Sequence, residues 1–304
     1  MQKIAPHLYL ISPSSLPRYP YANCLLVEDE RSVVIDFGAG SDAFSEIAVK
    51  DIQIGLISHF HFDHLHCNVL FPQAEFYAGK EEKDTYVKEE AYLRFHGYDI
   101  WEEVMDECQR PLYGQVVPLA DNVPVQPGFR PIKLAGVFQD QQVLSCGRRT
   151  IRAVHLPGHT AGHYGFYFEP EGILFSGDID LVPGGPWYNS ASGDVGGLLS
   201  SIRTIQALDP RIIVPSHRRI QTRNLHRSLN QYKKVVLDRE EEIYCFLHRP
   251  RRLQDIYQLK LAFPHPANIY EEFWNRMTVR NHLKHLVKIE KVVQIAPDVY
   301  GQVV

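Results

Sequence analysis

The sequence predicts an α+β domain of stacked sheets and helices, ending in a small, mainly helical appendage. Strand-like apolar runs alternate with helical patterns from His7 to His217, the alternation that lays helices over sheets. After His217 the pattern changes to a long charged helix over residues 224–247 and shorter helical stretches beyond it. A third observation says what the layers carry. Ser58-His59-Phe60-His61-Phe62-Asp63-His64 follows the apolar run Ile54-Gly55-Leu56-Ile57 and packs four metal-ligating side chains into six residues.

Taken in order, residues 7–11, 23–27 and 32–36 read as strands, with a turn at 28–31. Residues 41–50 read as a helix and 51–58 as the strand that delivers the histidine loop. A further helix is expected from His64 towards Leu70, stopped by Pro72, before a strand over 74–77. In an extended segment side chains alternate faces, so His59 and His61 point the same way and can share one ion. Asp63 and His64 are adjacent, so the chain must bend for both to face a second ion. Three imidazoles and a carboxylate suit zinc or a similar first-row divalent metal.

Composition sets the class. The 304 residues suffice for one large domain or a domain with an appendage. A hydrophobic fraction of 44% and a charged fraction of 22% are those of an ordinary soluble globular protein. The 32 Lys and Arg against 36 Asp and Glu leave a net charge of −4, which argues against a protein that lives on nucleic acid. Arg249 to Arg252 form a local basic run. The five cysteines, Cys24, Cys67, Cys108, Cys146 and Cys245, are scattered and odd in number, so a reducing cytoplasm is expected rather than a disulfide framework. Cys67, near the ligand loop, reads as a small buried hydrophobe. The first residues lack the apolar core of a signal peptide and no stretch reaches the length of a membrane helix, so a cytoplasmic protein without membrane contact is expected.

The histidine loop does not stand alone. Leu156-Pro157-Gly158-His159-Thr160-Ala161-Gly162-His163, Phe175-Ser176-Gly177-Asp178 and Val214-Pro215-Ser216-His217 follow it. Together these motifs resemble those of the metallo-β-lactamase superfamily, in its order, over residues 33–217. The resemblance implies a four-layer αββα sandwich with a dinuclear centre holding two Zn2+ per chain, with Fe or Mn as substitutes. His59, His61 and His159 would hold the first ion, and Asp63, His64 and His217 the second, with Asp178 bridging. Asp180 shares Asp178's strand parity and is its rival. His163 is read as pocket wall or as support for the ligands. Asp36 in the family supports the metal loop from behind; from the residues alone, a helix cap or turn carboxylate is an equal reading.

The resemblance further implies a hydrolase in which a metal-bridged hydroxide attacks a small-molecule ester, thioester or lactone, with Asp63 orienting the nucleophile. No Ser or Cys nucleophile is needed. Two alternatives stay open: a phosphodiesterase or nuclease helped by the terminal region, and a mononuclear-iron dioxygenase on the same scaffold. His61 stands against the diiron flavoprotein branch, which has a glutamate at that place.

Residues 80–113 interrupt the alternation with a charged, aromatic-rich helical stretch, read either as a lid over the site or as cover for a core. A long β region is expected over 114–168, clearest at 142–146 and 150–156, then a helix over 193–208 and a strand over 211–217. On the Pro/Gly-rich loop 181–189, Trp187 and Tyr188 read as pocket residues, with the Tyr188 hydroxyl donating to a developing oxyanion, or as anchors of the loop. The catalytic domain is drawn at 1–247 and a winged-helix-like domain at 248–304, from helices followed by a strand pattern at 291–295. That appendage is expected to serve packing or homodimerisation, with His282 and His285 on its surface.

Overall fold

A computed structural model describes residues 1–303. Two sheets face each other at its centre. The first has seven strands in chain order: β1 (Gln2–Ala5), β2 (Leu8–Ile11), β3 (Cys24–Val27), β4 (Ser32–Ile35), β5 (Ile52–Ile57), β6 (Glu75–Gly79) and β7 (Leu134–Phe138). β1 to β4 are antiparallel and β4 to β7 parallel. The second sheet contains β8 (Val143–Ser145), β9 (Thr150–His155), β10 (Tyr164–Phe168), β11 (Ile173–Gly177) and β12 (Ile212–Pro215), in the order β12-β11-β10-β9-β8. There β11 and β12 run parallel and the other pairs antiparallel.

Side-chain alternation explains the layering. Leu25, Val27 and Ile35 of the first sheet meet Phe166, Phe168 and Phe175 of the second in one core. Their strand neighbours Cys24, Leu26 and Val34 point the other way, onto Phe37, Phe44 and Phe71. Val154, Leu174 and Ile213 point out of the second sheet onto α5 (Val195–Leu208) and the first half of α6 (Leu225–Phe246). Because both sheet faces are covered, strands such as β3 are buried at every position and read as continuous apolar runs. The result is the expected four-layer αββα sandwich, with α1 (Ser41–Phe44) on the outer face of the first sheet.

Residues 80–113 supply α2 (Glu89–His96) and α3 (Trp101–Val104), followed by α4 (Tyr113–Val116). Beyond α6 come β13 (Arg251–Arg252), α7 (Leu253–Tyr257), α8 (Ile269–Lys288), β14 (Val292–Ala296) and β15 (Val299–Gln302), the strands forming a sheet in the order β13-β15-β14. α6 belongs to two cores. Leu229, Tyr232 and Val236 pack on the sandwich, whereas Ile243 and Leu247 pack with Ile256, Val279 and Leu283 of the C-terminal elements.

Three expectations are corrected. The helix at 64–70 is instead a pair of 3-10 turns, Phe62–His64 and Asn68–Leu70. The backbone is committed elsewhere: His64 O accepts from Phe37 N and Cys67 N donates to Phe37 O, which ties the segment to the end of β4. The helix at 41–50 stops at Phe44, followed by a 3-10 turn at Val49–Asp51. His282 is not a surface residue, and His285 is half-buried. His282 is fully buried, because α8 is packed between the sandwich loops and its own core.

Candidate metal centre

The loop following β5 is held from both sides by buried carboxylates. Asp36 follows β4 in left-handed backbone geometry, φ 59°. Its Oδ1 accepts from Ser58 N at 2.8 Å, and its Oδ2 from Ser58 Oγ and from His64 Nδ1, both at 2.7 Å. Of the two readings of Asp36, support of the ligand loop is the one its contacts display. Glu82, beyond the end of β6, does the same from the other side. It accepts from Phe60 N at 3.0 Å and from Gly162 N at 2.8 Å, and from the Thr160 hydroxyl. Glu82 thereby clamps the His59-His61 strand end to the turn that carries His159. Only glycine fits at 162, since a Cβ there would lie 2.5 Å from Glu82 Cγ. Burial, partly offset by these three donors, pushes the Glu82 carboxyl up to about 7.

All seven side chains named as ligands converge. His59 Nε2, His61 Nδ1 and His159 Nε2 form a triangle with sides of 2.8, 3.0 and 3.0 Å. Beside it, Asp63 Oδ2 lies 3.2 Å from His217 Nε2 and 3.9 Å from His64 Nε2. Asp178 reaches both groups: Oδ1 is 3.0 Å from His64 Nε2, and Oδ2 is 3.3 Å from both His159 Nε2 and His217 Nε2. Asp178 and the first three histidines, and separately Asp63, His64 and His217, have donor atoms close enough to surround one ion each.

The far side of four of the five rings is held by a hydrogen bond, the far Nε2 of His61 being buried without a partner. His59 Nδ1 donates to Ser58 Oγ at 2.9 Å, His64 Nδ1 to Asp36, His159 Nδ1 to Trp187 O at 2.7 Å and His217 Nδ1 to Tyr21 O at 3.1 Å. Four Nε2 atoms thus face inward, the ring nitrogens left to a metal once Nδ1 is committed on the far side. Burial and neighbouring rings hold His59 and His61 well below the usual imidazole range, leaving them neutral. His64 Nε2 and Asp178 Oδ1 are buried without a hydrogen-bonding partner, their 3.0 Å approach being misaligned for a hydrogen bond. Two inward orphans amid five imidazoles and two carboxylates are what a pair of divalent cations satisfies, so the residues fit the group.

Behind the ligands, His163 Nε2 accepts from Asp178 N at 2.9 Å and its Nδ1 donates to Leu156 O, placing it as support rather than cavity wall. Asp180 lines the cavity but accepts from Tyr232 Oη at 2.9 Å, outside both ligand groups. The same Tyr232 hydroxyl lies 3.0 Å from Asp178 O. Glu82 and Tyr232 were not legible as site residues in the sequence. The nearest signal for Glu82 was Thr160 and Gly162, whose contacts it collects.

Tyr188 is corrected. It is fully buried, and its hydroxyl donates to His282 Nε2 at 2.8 Å and accepts from Arg239 Nη1 at 3.2 Å. Trp187 lines the cavity, whereas Tyr188 is committed to the joint with α6 and α8 and is no oxyanion donor. The cavity beside the ligands has a volume of about 890 Å³ and is walled by Tyr19, Phe129 and Trp187, by Tyr92, His96 and Tyr98 of the inserted segment, and by Phe263 and Trp274 near and on α8. Besides walling the cavity, the insertion covers a core, since Trp101, Val104 and Met105 pack with Tyr270, Phe273 and Met277.

The family model of the metallo-beta-lactamase superfamily matches residues 19–217. The chain belongs to that superfamily. Hydroxyacylglutathione hydrolase of Haemophilus influenzae is 26% identical over 205 residues, 64% of this chain and 84% of that protein. An atrochrysone carboxyl ACP thioesterase of Paecilomyces divaricatus is 38% identical over 90 residues, which is 30% of this chain and 26% of that protein. Among solved structures, a metallo-beta-lactamase family protein of Thermus thermophilus aligns over 99% of this chain and 100% of its own, with a TM-score of 0.75 at 20% identity. A beta-lactamase domain protein of Burkholderia ambifaria aligns with a TM-score of 0.66 at 19% identity, over 99% of this chain and 93% of its own. Both extend the likeness of fold through the C-terminal elements. Among the described residues no helix is long and apolar enough to cross a membrane.

Proposed function

We propose that this member of the superfamily is a dinuclear metal-dependent hydrolase, with zinc as its metal and a thioester or related ester as its substrate. The observation that carries the reading is Asp178, whose two oxygens reach the His59-His61-His159 group on one side and His64 and His217 on the other. The names of two relatives, a hydroxyacylglutathione hydrolase and a carrier-protein thioesterase, support a thioester over a lactone or phosphodiester. When bound, divalent cations supply a hydroxide at neutral pH and a Lewis acid for the carbonyl oxygen.

The chain's own residues do the rest. Asp63 lines the cavity with its carboxylate against His217 and is placed to orient the attacking group. Trp187 and the aromatic walls bind apolar substrate and exclude bulk water. The cysteines nearest the ligands in sequence, Cys67 and Cys146, are buried and take no part. Metal analysis of protein purified without chelator should return two zinc ions per chain. A panel of thioesters, nitrophenyl esters, lactones and bis-nitrophenyl phosphate should show thioester turnover that Asp178→Ala removes. A single iron per chain, or turnover of the phosphodiester alone, sinks this reading.

A further inference from the structure

From the metal centre a stack of planar groups runs along the cavity wall. The His61 and His96 rings are stacked at 5.5 Å between centroids, with 26° between planes. His96 and Tyr98 follow at 4.6 Å and 9°. The Arg110 guanidinium then lies 4.4 Å over the Tyr98 ring. All four residues line the same cavity, so the three spacings bound how far Arg110 stands from the ligand His61.

Arg110 is half-buried, yet its one polar contact is a long one, Nη1 donating to Tyr270 Oη at 3.4 Å. Among the described residues no carboxylate pairs with it. Neighbouring arginines are treated differently: Arg276 pairs with Asp106 at 2.8 Å and Arg280 with Glu103 at 2.6 Å. Of the carboxylates that line the cavity, Asp63, Asp178 and Asp180 sit at the metal centre, while Glu271 accepts from Ala267 N and neither it nor Glu89 pairs with Arg110. A guanidinium held over a ring, partly stripped of water and with most of its donors unused, is a ready receptor for a carboxylate or phosphate.

We propose that Arg110 binds an anionic group of the substrate while the scissile carbonyl lies at the metal centre, so that the stack measures the distance between the two. This rests on the hydrolase reading above and adds the substrate's charge. The anion is a phosphate or carboxylate of the thiol portion, or a carboxylate at the far end of the acyl portion.

Thioethers separate this inference from the hydrolase reading because they bind without being cleaved. Four probes serve: the S-hexyl thioethers of coenzyme A, glutathione and N-acetylcysteamine, and the ω-carboxyhexyl thioether of N-acetylcysteamine. Their binding to the metal-loaded full chain is followed through emission of Trp187 and Trp274, which line the cavity. The expected result is that a charged probe binds tighter than the neutral one and that Arg110→Ala weakens it about tenfold to a hundredfold. The neutral probe should change less than about twofold, and Arg110→Lys should fall between, because a point charge keeps the attraction but not the planar fork. Which charged probe responds identifies the anion's place. Equal losses for all four probes, or no preference for charge in the unaltered protein, overturn the proposal. Failure of every ester and thioester to turn over, with the selective loss intact, removes the hydrolase reading and leaves the anion site standing.

Discussion

Glu82→Gln isolates a carboxylate that touches no ligand yet clamps two ligand-bearing segments. The amide is isosteric but can offer only one acceptor oxygen. In its better orientation that oxygen keeps the bonds from the Thr160 hydroxyl and Gly162 N, and the NH2 then faces Phe60 N, which Glu82 accepts at 3.0 Å. A buried N–H left facing another donor costs about 1–3 kcal/mol. The two surviving bonds lose charge assistance, while the neutral amide avoids the burial cost that raises the Glu82 pKa to about 7; these two effects oppose each other. The net loss is therefore about 1–3 kcal/mol. Phe60 stands between His59 and His61 and Thr160 follows His159, so the strain falls on the histidine triangle, and zinc affinity should drop about 10- to 100-fold. Denaturation of the metal-free protein reads the first quantity, and competition with a chromophoric chelator reads the second. A variant destabilised as calculated but binding zinc within about twofold of the parent refutes the clamp.

The ligand assignment predicts that Asp178→Ala weakens both metal positions, whereas His217→Ala lowers the stoichiometry from two towards one; unchanged metal content in the His217 variant contradicts it. Tyr188→Phe should leave kcat within a few-fold and lower stability by about 1 kcal/mol, through loss of its bonds to His282 and Arg239; a drop of about 100-fold in kcat would restore it as an oxyanion donor. Stability of the metal-free protein should depend on pH through His64. Burial works to lower its pKa, but Asp178, Asp36 and Asp63 outweigh burial and raise it from 6.5 to about 10. A raised imidazole pKa stabilises fully below 6.5 and the contribution is lost as pH climbs through 10. The denaturation midpoint should thus fall from about pH 7 to 10 without metal and fall less with it, and parallel curves would refute this.

The candidate ligands were legible because their information is local: residue types at fixed spacing, following apolar strands. His59, His61, Asp63 and His64 need no knowledge of the rest of the chain, and the layered sandwich follows from runs buried on both faces, such as β3. Glu82 was illegible because its three partners come from residues 60, 160 and 162, and only the approach of two strand ends makes it their common acceptor. Tyr188 was misassigned because a loop's sequence does not say which neighbour faces inward. His282 was misread for a related reason. α8 buries Asn275, Thr278, Asn281 and His282 together with its apolar residues, so its inner face carries no apolar periodicity to read.

Those buried polar groups of α8 show why the C-terminal elements belong to the working site rather than beside it. Trp187 O fixes the tautomer of His159. The following residue, Tyr188, is held by its hydroxyl on His282 and by its carbonyl on Asn281 Nδ2 at 2.8 Å, while Thr278 Oγ1 donates to Asn189 at 2.9 Å. Arg239 of α6 donates to Pro186 O at 3.1 Å and Gly184 O at 3.2 Å, from the other side of the loop. The loop that aims a ligand histidine and carries a cavity tryptophan therefore takes its shape from side chains of α6 and α8. A sandwich deprived of α8 would keep the histidine loop and Asp178, but would lose the grip on Trp187 that aims His159, together with the Trp274 wall of the cavity. Ligand geometry and substrate wall thus depend on the same helix, which couples the shape of the cavity to the order of the metal centre.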